Sequence, residues 1–525
     1  MKRKGFTLIE LLAVIVILAI IALIATPTIL GVIEKARKGA TEQSALGYID
    51  AIEKQIMIND TNNIQELKDG TYLVEDINIS YKGKGPTKGT VTIKKGEVTT
   101  TNLCFKTYSV DYDGTKATIS NNNYCKEDKV ILKEKGNINE VTIENKKAVI
   151  DLTNYTHYTN IHCNNNVKLE IENNQLIVTN IIGEVTCQLD KTLEDTFSNL
   201  DDSSNSIMML SDDTIKNTIS VNSSLILNLE NYTINSHISD DINGNSLFSI
   251  NKNGTIVVNS KAKGKIISND CHIFRMSRST SNLIINNGTY ENKKNAACNI
   301  IFIPANDSTT IINNGIFTSN VSSLISLQGN SNIIVNNGDF IVNNVPKNNI
   351  NLAGGNLTIY NGHFLNTYEF TEGGYSIIYI SNKGKLKITG NSSKECREDN
   401  LNNGLCFYSY INGIRHAGTE IINIDGATII SKNKFTISST DSGILNIKNS
   451  NLISNVENYN FSTVYNASNG IINLCSNEIV SSSNHIINKS TGVINYNKNQ
   501  FNDANIPIIG TNHGTINSNY SKNCE

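Results

Sequence analysis

Asp339 and His363 have the residue types and the spacing that acid–base chemistry requires. They occupy equivalent positions in two successive copies of a repeated sequence phrase, so stacking of the copies would bring them close together. A His–Asp pair can transfer protons. The equivalent positions of the preceding copies hold Thr289 and Ile316, however, so no second carboxylate joins the pair, and sites that cleave polysaccharides gather carboxylates. We therefore expect a solvated surface pair and a protein that is not an enzyme.

A second group of residues suits binding and lies where one repeat is longer than the others. Cys396 and Cys406 could close a short loop there, and Tyr408, Tyr410 and Arg415 follow. Aromatic rings beside polar groups on a protruding loop suit the binding of a sugar or a protein. These three residues are the predicted ligand-binding residues. The alternative is that the tyrosines cover the edge of the core and the loop is inert.

No spacing in the chain indicates a metal or a cofactor. His162 stands beside Cys163, but no second Cys or His follows at the spacing of a metal site. Calcium-binding loop motifs are also absent from the sequence. The net charge of −3 and the 18% of charged residues argue against nucleic acid as a main partner. We expect neither a metal nor a cofactor.

The repeated phrase itself predicts the fold of the C-terminal part. Its glycines recur every 23–27 residues, and a period of this length with one strand motif per unit indicates a solenoid. Leucine-rich repeats have the same period but need a leucine frame that this chain lacks, so a right-handed parallel β-helix fits better. The four clearest copies are Leu283–Tyr290, Thr310–Phe317, Ile333–Phe340 and Leu357–Phe364.

Stacked copies would place equivalent side chains in ladders. Alternating Ile and Val would point inward, and Asn-Gly would supply the bend. We expect one amide ladder and one aromatic ladder, made respectively of Asn287, Asn314, Asn337 and Asn361, and of Tyr290, Phe317, Phe340 and Phe364. The segment Leu225–Ile234 resembles an early rung of a pectate-lyase-like β-helix.

Composition agrees with a mainly β protein of several domains. At 525 residues the chain is too long for one ordinary domain, it has no tryptophan and five prolines, and β-branched residues are abundant. The ten cysteines suit an oxidising exterior. The exception to the β composition is the N-terminus, where an apolar run from Phe6 to about Ala25 is long enough, at roughly 20 residues, to cross a bilayer as a helix.

Two features of this N-terminal segment need explanation. Lys2, Arg3 and Lys4 precede the apolar run and should remain cytoplasmic, which places the rest of the chain outside. Glu10 lies within the apolar run, and a carboxylate in a membrane helix costs about 2–3 kcal/mol, so it needs a partner. An ordinary signal peptide cleaved near Ala25 would leave Glu10 unexplained.

The segment from Lys4 to Leu11, KGFTLIEL, resembles the cleavage and methylation motif of type IV prepilins and of type II secretion pseudopilins. The resemblance covers about the first 35 residues. It implies that a prepilin peptidase cleaves between Gly5 and Phe6 and that Phe6 is N-methylated. It also implies that Glu10 pairs with the N-terminal amine of a neighbouring pilin subunit during filament assembly. The chain would then begin in the cell membrane and end in an extracellular pilus or on the cell surface.

Four segments follow from these patterns. Residues 1–5 are the leader, and 6–126 form a pilin-like domain of one long helix and several strands, with Cys104 and Cys125 placed to form a disulfide. Residues 127–190 form a small β-sandwich-like module with a Cys163–Cys187 disulfide, and 191–525 form the β-helix. A third disulfide is expected between Cys396 and Cys406. Cys475 and Cys524 are about two coils apart and less suited to pairing.

The function that these expectations favour is a pilin-like surface subunit, minor or at the filament tip, whose β-helix binds a glycan or a host surface ligand. Two alternatives stay open. One is a polysaccharide-active enzyme tethered to the membrane or the pilus, and the other is a pseudopilin of a secretion or DNA-uptake system.

Overall fold

The computed structural model describes residues 8–525, except 62–66, 82, 107, 121–124, 126–127, 135–136, 145, 201–203, 239–244, 270–271, 294–297, 370–372, 394, 399–403, 503–505 and 519–525. For residues 8–32 the backbone alone is described. The predicted leader, the cleavage site at Gly5 and Phe6, and the side chain of Glu10 therefore lie outside the described residues. Two compact units form the chain. The first comprises Met1–Leu132, Gly136–Ile150 and Val178–Thr186, and the second comprises Lys133–Lys135, Asp151–Ile177 and Cys187–Glu525.

The first unit contains a long α-helix and a five-stranded antiparallel sheet. The helix runs over Leu8–Thr61 and buries residues at helical three- and four-residue steps, among them Ala45, Ile49, Ile52 and Ile56. These side chains share one core with inward-facing residues of the sheet. The sheet strands, in both chain and spatial order, are Gly70–Leu73, Lys88–Lys94, Glu97–Phe105, Tyr108–Tyr112 and Ala117–Ile119, and a 3₁₀ turn spans Val74–Asp76.

Polar contacts fix the helix of the first unit against its sheet. Glu53 accepts a hydrogen bond from the Val98 backbone N–H at 3.0 Å, and Glu42 accepts one from the Ile119 N–H at 3.1 Å. Carboxylates of the helix thus satisfy backbone donors of the strands that would otherwise be unpaired. Cys104 and Cys125 form a disulfide, as predicted.

Within the described residues, no helix combines the length and the apolarity that crossing a membrane requires. The segment predicted to cross the membrane, residues 6–25, lies where side chains are not described.

The residues of the predicted module at 127–190 are divided between the two units. In the second unit, residues 160–163 pair antiparallel with residues 187–190, and the Cys163–Cys187 disulfide joins these two segments. The strands of the segment are Lys129–Glu134, Asn137–Val141, Ile143–Glu144, Lys147–Asp151, Asn160–Asn164, Lys168–Glu172, Gln175–Thr179 and Glu184–Asp190.

The second unit is dominated by a β-solenoid, in which three parallel sheets each receive one strand from every coil. The solenoid strands of sheet 1 are Asn205–Met209, Ser224–Asn228, Thr255–Asn259, Asn282–Ile285, Thr309–Ile312, Asn332–Val335, Asn356–Ile359, Lys385–Thr389, Ile421–Asp425, Ile444–Lys448, Ile471–Cys475, Val493–Asn497 and Thr515–Ser518. The solenoid confirms the architecture that the repeat predicted.

The other two sheets have twelve strands each. Sheet 2 contains Asp213–Ile215, Thr233–Ser236, Lys265–Ser268, Thr289–Asn292, Ile316–Ser319, Asp339–Val342, His363–Asn366, Cys406–Ser409, Thr428–Ser431, Asn451–Ser454, Glu478–Ser481 and Gln500–Phe501. Sheet 3 contains Ile219–Val221, Ser246–Ile250, His272–Met276, Ile301–Ile303, Ile325–Leu327, Ile350–Leu352, Ser376–Asn382, Asn412–Gly418, Ile437–Ser439, Ser462–Asn466, Asn484–Asn488 and Ile509–Asn512.

The solenoid core is built from stacked rows of identical or similar side chains. The predicted aromatic ladder is present and one rung longer, since Phe407 stacks on Phe364 with ring centroids 4.6 Å apart. The centroids of Tyr290 and Phe317 are 5.0 Å apart, and later rungs close to 4.6–4.8 Å. This interval is the spacing of hydrogen-bonded strands, so backbone pairing sets the ring stacking.

The amide ladder lies one residue earlier than predicted. Asn259, Asn286, Asn313 and Asn336 each donate from Nδ2 to the Oδ1 of the preceding rung, at 2.6–2.9 Å, and the first donates to Asn228. In the predicted row, only one rung is bonded in this way, from Asn337 to Asn314 at 3.2 Å.

The glycine after each Asn-Asn pair explains this shift. Gly338 has a φ of +136°, and a Cβ there would lie 2.9 Å from the carbonyl oxygen of Gly315 in the preceding coil. The second asparagine of each pair therefore lies next to the bend. Backbone hydrogen bonds between coils still keep the first asparagine in register with the equivalent residues of the neighbouring coils.

A helical cap covers the N-terminal end of the solenoid core. Helix Leu193–Asn199 begins at Thr192, whose side chain accepts from the Asp195 N–H at 3.0 Å. Leu193 is fully buried in the solenoid core, and Phe197 packs edge-on against Phe248. Because the end of a solenoid would otherwise expose its apolar interior, this short amphipathic helix acts as a terminal cap.

A polar network anchors this cap. His162 Nδ1 lies 2.7 Å from an oxygen of Asp190, and the hydroxyl of Thr196 in the capping helix lies within hydrogen-bond distance of Asn160 Oδ1, at 2.6 Å, and of Asp190, at 2.9 Å. Burial alone would raise the pKa of Asp190, but the hydrogen bonds from His162, Gln188 and Thr196 together lower it below its usual value. His162, which stands beside Cys163 in the sequence, thus serves the cap. Cys475 is also disulfide-bonded.

The amide ladder gives a matched pair of variants. Asn286→Ala removes hydrogen bonds to two neighbouring coils, so we expect it to lower the free energy of unfolding by about 1–2 kcal/mol. Asn287→Ala, one residue later and outside the bonded row, should change it by less than about 0.5 kcal/mol. Chemical denaturation followed by circular dichroism measures both. Equal losses for the two variants would contradict the ladder assignment.

Candidate functional site

The solenoid places Asp339 and His363 side by side on sheet 2, in the register that the sequence predicted. The pair is not solvated, however: His363 is 1% exposed and Asp339 is half-buried. No hydrogen bond joins the two side chains in the part of the chain that the structure describes. His363 Nε2 lies 3.3 Å from the Arg397 carbonyl oxygen, while its Nδ1 is buried without a partner.

Burial changes the titration of both groups. It raises the pKa of Asp339 to about 6 and lowers the pKa of His363. Each group is therefore pushed toward its uncharged form, and a proton would have no bonded path between them.

Other histidines of the solenoid also have structural surroundings. His272 Nδ1 accepts a hydrogen bond from the Asn299 backbone N–H of the next coil at 2.8 Å, and burial lowers the pKa of His272 to about 4. His485 Nδ1 likewise accepts from the Ile508 N–H at 2.8 Å. A neutral imidazole serves as an acceptor between coils in both places.

The Cys396–Cys406 disulfide forms as predicted and holds the loop of the long repeat against sheet 2. Both cysteines pack with Ile430, which is 7% exposed although it belongs to the outward-facing row of that sheet. Tyr408 packs against the same cluster. The loop therefore covers apolar side chains that would otherwise face solvent.

Tyr408 and Tyr410 belong to a cluster centred on Lys432, which the sequence did not indicate. The Lys432 Nζ lies 4.0 Å from the ring centroid of Tyr410 and 5.4 Å from that of Tyr408. It donates to the Tyr410 hydroxyl at 2.8 Å, and that hydroxyl donates to Glu398 at 2.7 Å. These contacts raise the pKa of Lys432 and largely satisfy the cluster internally.

Arg415 lies on a different face from the two tyrosines. The chain turns at Ile411, between the sheet 2 strand Cys406–Ser409 and the sheet 3 strand Asn412–Gly418. On sheet 3 the Arg415 guanidinium lies 5.3 Å from the ring centroid of Tyr379 and donates to the Gly374 carbonyl oxygen at 2.9 Å. The structure thus separates Tyr408 on sheet 2, and Tyr410 in the corner that follows it, from Arg415 on sheet 3.

The surroundings of Arg415 contain aromatic residues that the sequence did not single out. Phe435 stacks on Tyr465 with centroids 3.9 Å apart and meets Phe461 edge-on at 5.2 Å. All three rings are half-exposed. They come from corner segments and outward positions outside the repeated phrase, which explains why periodicity did not reveal them.

A second cation lies beside Arg415. Lys434 donates from Nζ to the carbonyl oxygen of Gly373, next to the Gly374 oxygen that Arg415 uses. Burial, together with repulsion from Arg415, lowers the pKa of Lys434. Within the described residues, no ion pair links either cation to a carboxylate. This surface consequently holds two adjacent positive charges that lack a carboxylate among those residues.

Within the described residues, no three His, Cys, Asp or Glu side chains lie close enough together to hold a metal ion.

Residues 1–26 match the family model described as the prokaryotic N-terminal methylation motif. No curated protein and no solved structure matches the chain. The chain therefore combines a prepilin-type N-terminal motif, which implies processing by a prepilin peptidase and assembly with other pilins, with a β-solenoid that carries disulfides.

The half-buried Asp339 predicts a pH-dependent stability. An aspartate with a raised pKa in the folded state stabilises the fold while it is protonated. That contribution is complete below the ordinary value of about 3.9 and is lost as the pH rises through about 6. Asp339→Asn cannot ionise, so it should raise Tm by a few degrees at pH 8 and change it little at pH 4.

Glu478→Gln is the control for this measurement, because Glu478 starts another strand of sheet 2 but is exposed. It should shift Tm equally at both pH values. A shift for Asp339→Asn that does not depend on pH, measured by differential scanning calorimetry, would refute the assignment.

Proposed function

We propose that this protein is a pilin-like subunit of a surface filament that displays its β-solenoid outside the cell as a binding module. The observation that carries the proposal is the prepilin-type motif at residues 1–26 at the start of a chain whose bulk is a solenoid. In this proposal the motif directs export of the chain and its attachment to the filament, and the stacked coils provide a long, rigid surface for binding.

The first unit supports a pilin-like role for residues 6–126. A long N-terminal helix that buries one stripe against an antiparallel sheet can insert its free end into a membrane or a filament while the sheet stays outside. In this proposal, residues 6–25 cross the membrane before assembly, and Glu10 then neutralises the N-terminal amine of the neighbouring subunit.

The size of the second unit favours a minor or tip position. Residues 187–525 fold together as part of one compact unit that is much larger than the helix–sheet unit. A densely packed helical filament would have to accommodate this bulk at every subunit, whereas a tip or an occasional subunit would not.

Binding without catalysis is the role that we propose for the solenoid. Support comes from the isolated Asp339–His363 pair, in which the histidine is buried and the two side chains are not hydrogen-bonded. Half-exposed aromatic and basic residues on sheet 3 favour adhesion to an external ligand, such as a glycan or a host surface.

Processing at the N-terminus tests the proposal directly. Mass spectrometry of the mature protein should find Phe6 as its first residue, carrying an N-methyl group. Gly5→Leu should leave the leader attached, because the peptidase must accommodate the residue before the cleaved bond.

Glu10→Ala is the companion variant. It should be cleaved normally but enter filaments at least tenfold less efficiently, because its neighbour's amine would lack a counter-charge. Asp50→Ala, at an exposed site on the same helix, serves as the control and should assemble normally. A mature chain that begins near Thr26 would reject the pilin-like assignment.

A further inference from the structure

We propose that the outer face of sheet 3 binds an oligosaccharide that carries a carboxylate, at a surface formed by Tyr379, Arg415, Lys434, Phe435 and Tyr465. We name this the acidic-sugar surface. The inference rests on the proposed binding function and specifies its ligand class and its site.

The strand register aligns the acidic-sugar surface along the solenoid axis. Tyr379 pairs with Arg415, Arg415 with Ser438, and Ser438 with Tyr465, in four successive coils. Three coil intervals of about 4.8 Å place Tyr379 and Tyr465 roughly 14 Å apart. A short row of two or three sugar rings spans a similar length.

The charge of the surface selects an anion. Arg415 and Lys434 use some of their donors on the adjacent carbonyl oxygens of Gly374 and Gly373, which brings the two cations together. A guanidinium held by one hydrogen bond and by a ring still has N–H groups for a carboxylate. Lys434 is 8% exposed, so its charge acts mainly through the local field, while Arg415 is accessible.

The aromatic rings select a sugar. Phe435 and Tyr465 are stacked and half-exposed, and they lie on the side of Arg415 that is opposite to Tyr379. Apolar faces of sugar rings pack on such rings, while sugar hydroxyls remain in water. The positive charge of the surface is concentrated at Arg415, between aromatic rings on either side. This arrangement fits an oligosaccharide in which one sugar carries a carboxylate and its neighbours are neutral. It does not fit a polymer that carries a charge on every sugar.

Binding of two acidic probes and two neutral probes to the full-length protein tests this site. The acidic probes are 3′-sialyllactose and a hyaluronan tetrasaccharide, and the neutral probes are lactose and chitotetraose. Titration followed by NMR or calorimetry should give at least tenfold tighter binding for each acidic probe. Arg415→Ala should bring the ratio of acidic to neutral affinity close to one, and Arg415→Lys should restore part of it.

Two further variants separate recognition from folding. Tyr465→Ala should weaken acidic and neutral probes alike, by at least fivefold, with an unchanged circular dichroism spectrum. Lys387→Ala removes an exposed cation from sheet 1 and should change neither affinity.

Three results would overturn the inference: equal affinity for acidic and neutral probes, no binding of any probe at millimolar concentration, or tighter binding of a single-stranded DNA oligonucleotide. The proposed function is tested by N-terminal processing, which is independent of these binding measurements. The ligand inference can therefore fail while the proposed function stands, and the reverse is also true.

Discussion

The second unit depends on one constraint, the in-register backbone hydrogen bonding between successive coils. Each strand pairs in parallel with the equivalent strand of the next coil, so equivalent side chains stand about one strand spacing apart along the axis. This spacing suits stacked rings and bonded amides, as the Phe317–Phe340 and Asn286–Asn313 rungs show. It also limits the substitutions that a coil can accept, because each inward-facing side chain contacts both the preceding coil and the following coil.

The solenoid was predictable from the repeats in the sequence. Stacked coils require a constant repeat length, Ile and Val at the inward-facing positions, and a bend, here at Asn-Gly, and the sequence shows all three. The aromatic ladder was predicted residue by residue, but the amide ladder was displaced by one residue. The sequence alone does not show which asparagine of each Asn-Asn pair stays in register with the neighbouring coils. The positive φ at Gly338 places the bend next to the second asparagine, so the first one forms the ladder. Disulfides such as Cys104–Cys125 were predictable because spacing limited the choices.

Features that depend on corners and insertions were less predictable. Tyr408 and Arg415 are near in sequence, yet a turn at Ile411 sends them to different sheets. Phe435 and Lys434 carry no periodic signal, because they lie between strands of the repeat. Lys434 lies beside Arg415 because both cations donate hydrogen bonds to neighbouring glycine carbonyl oxygens of one loop. The proposed binding surface thus lies where the repeat is interrupted, while the repeat itself maintains the scaffold.

We propose that a prepilin-type N-terminus attaches the solenoid to a filament outside the cell. Immunogold electron microscopy with an antibody against the solenoid tests it most directly, in wild-type cells and in cells that lack the prepilin peptidase. We expect gold particles on surface filaments, at their tips or at sparse positions, and no such labelling without the peptidase. Labelling of the cell surface that is independent of filaments and unchanged without the peptidase would contradict it.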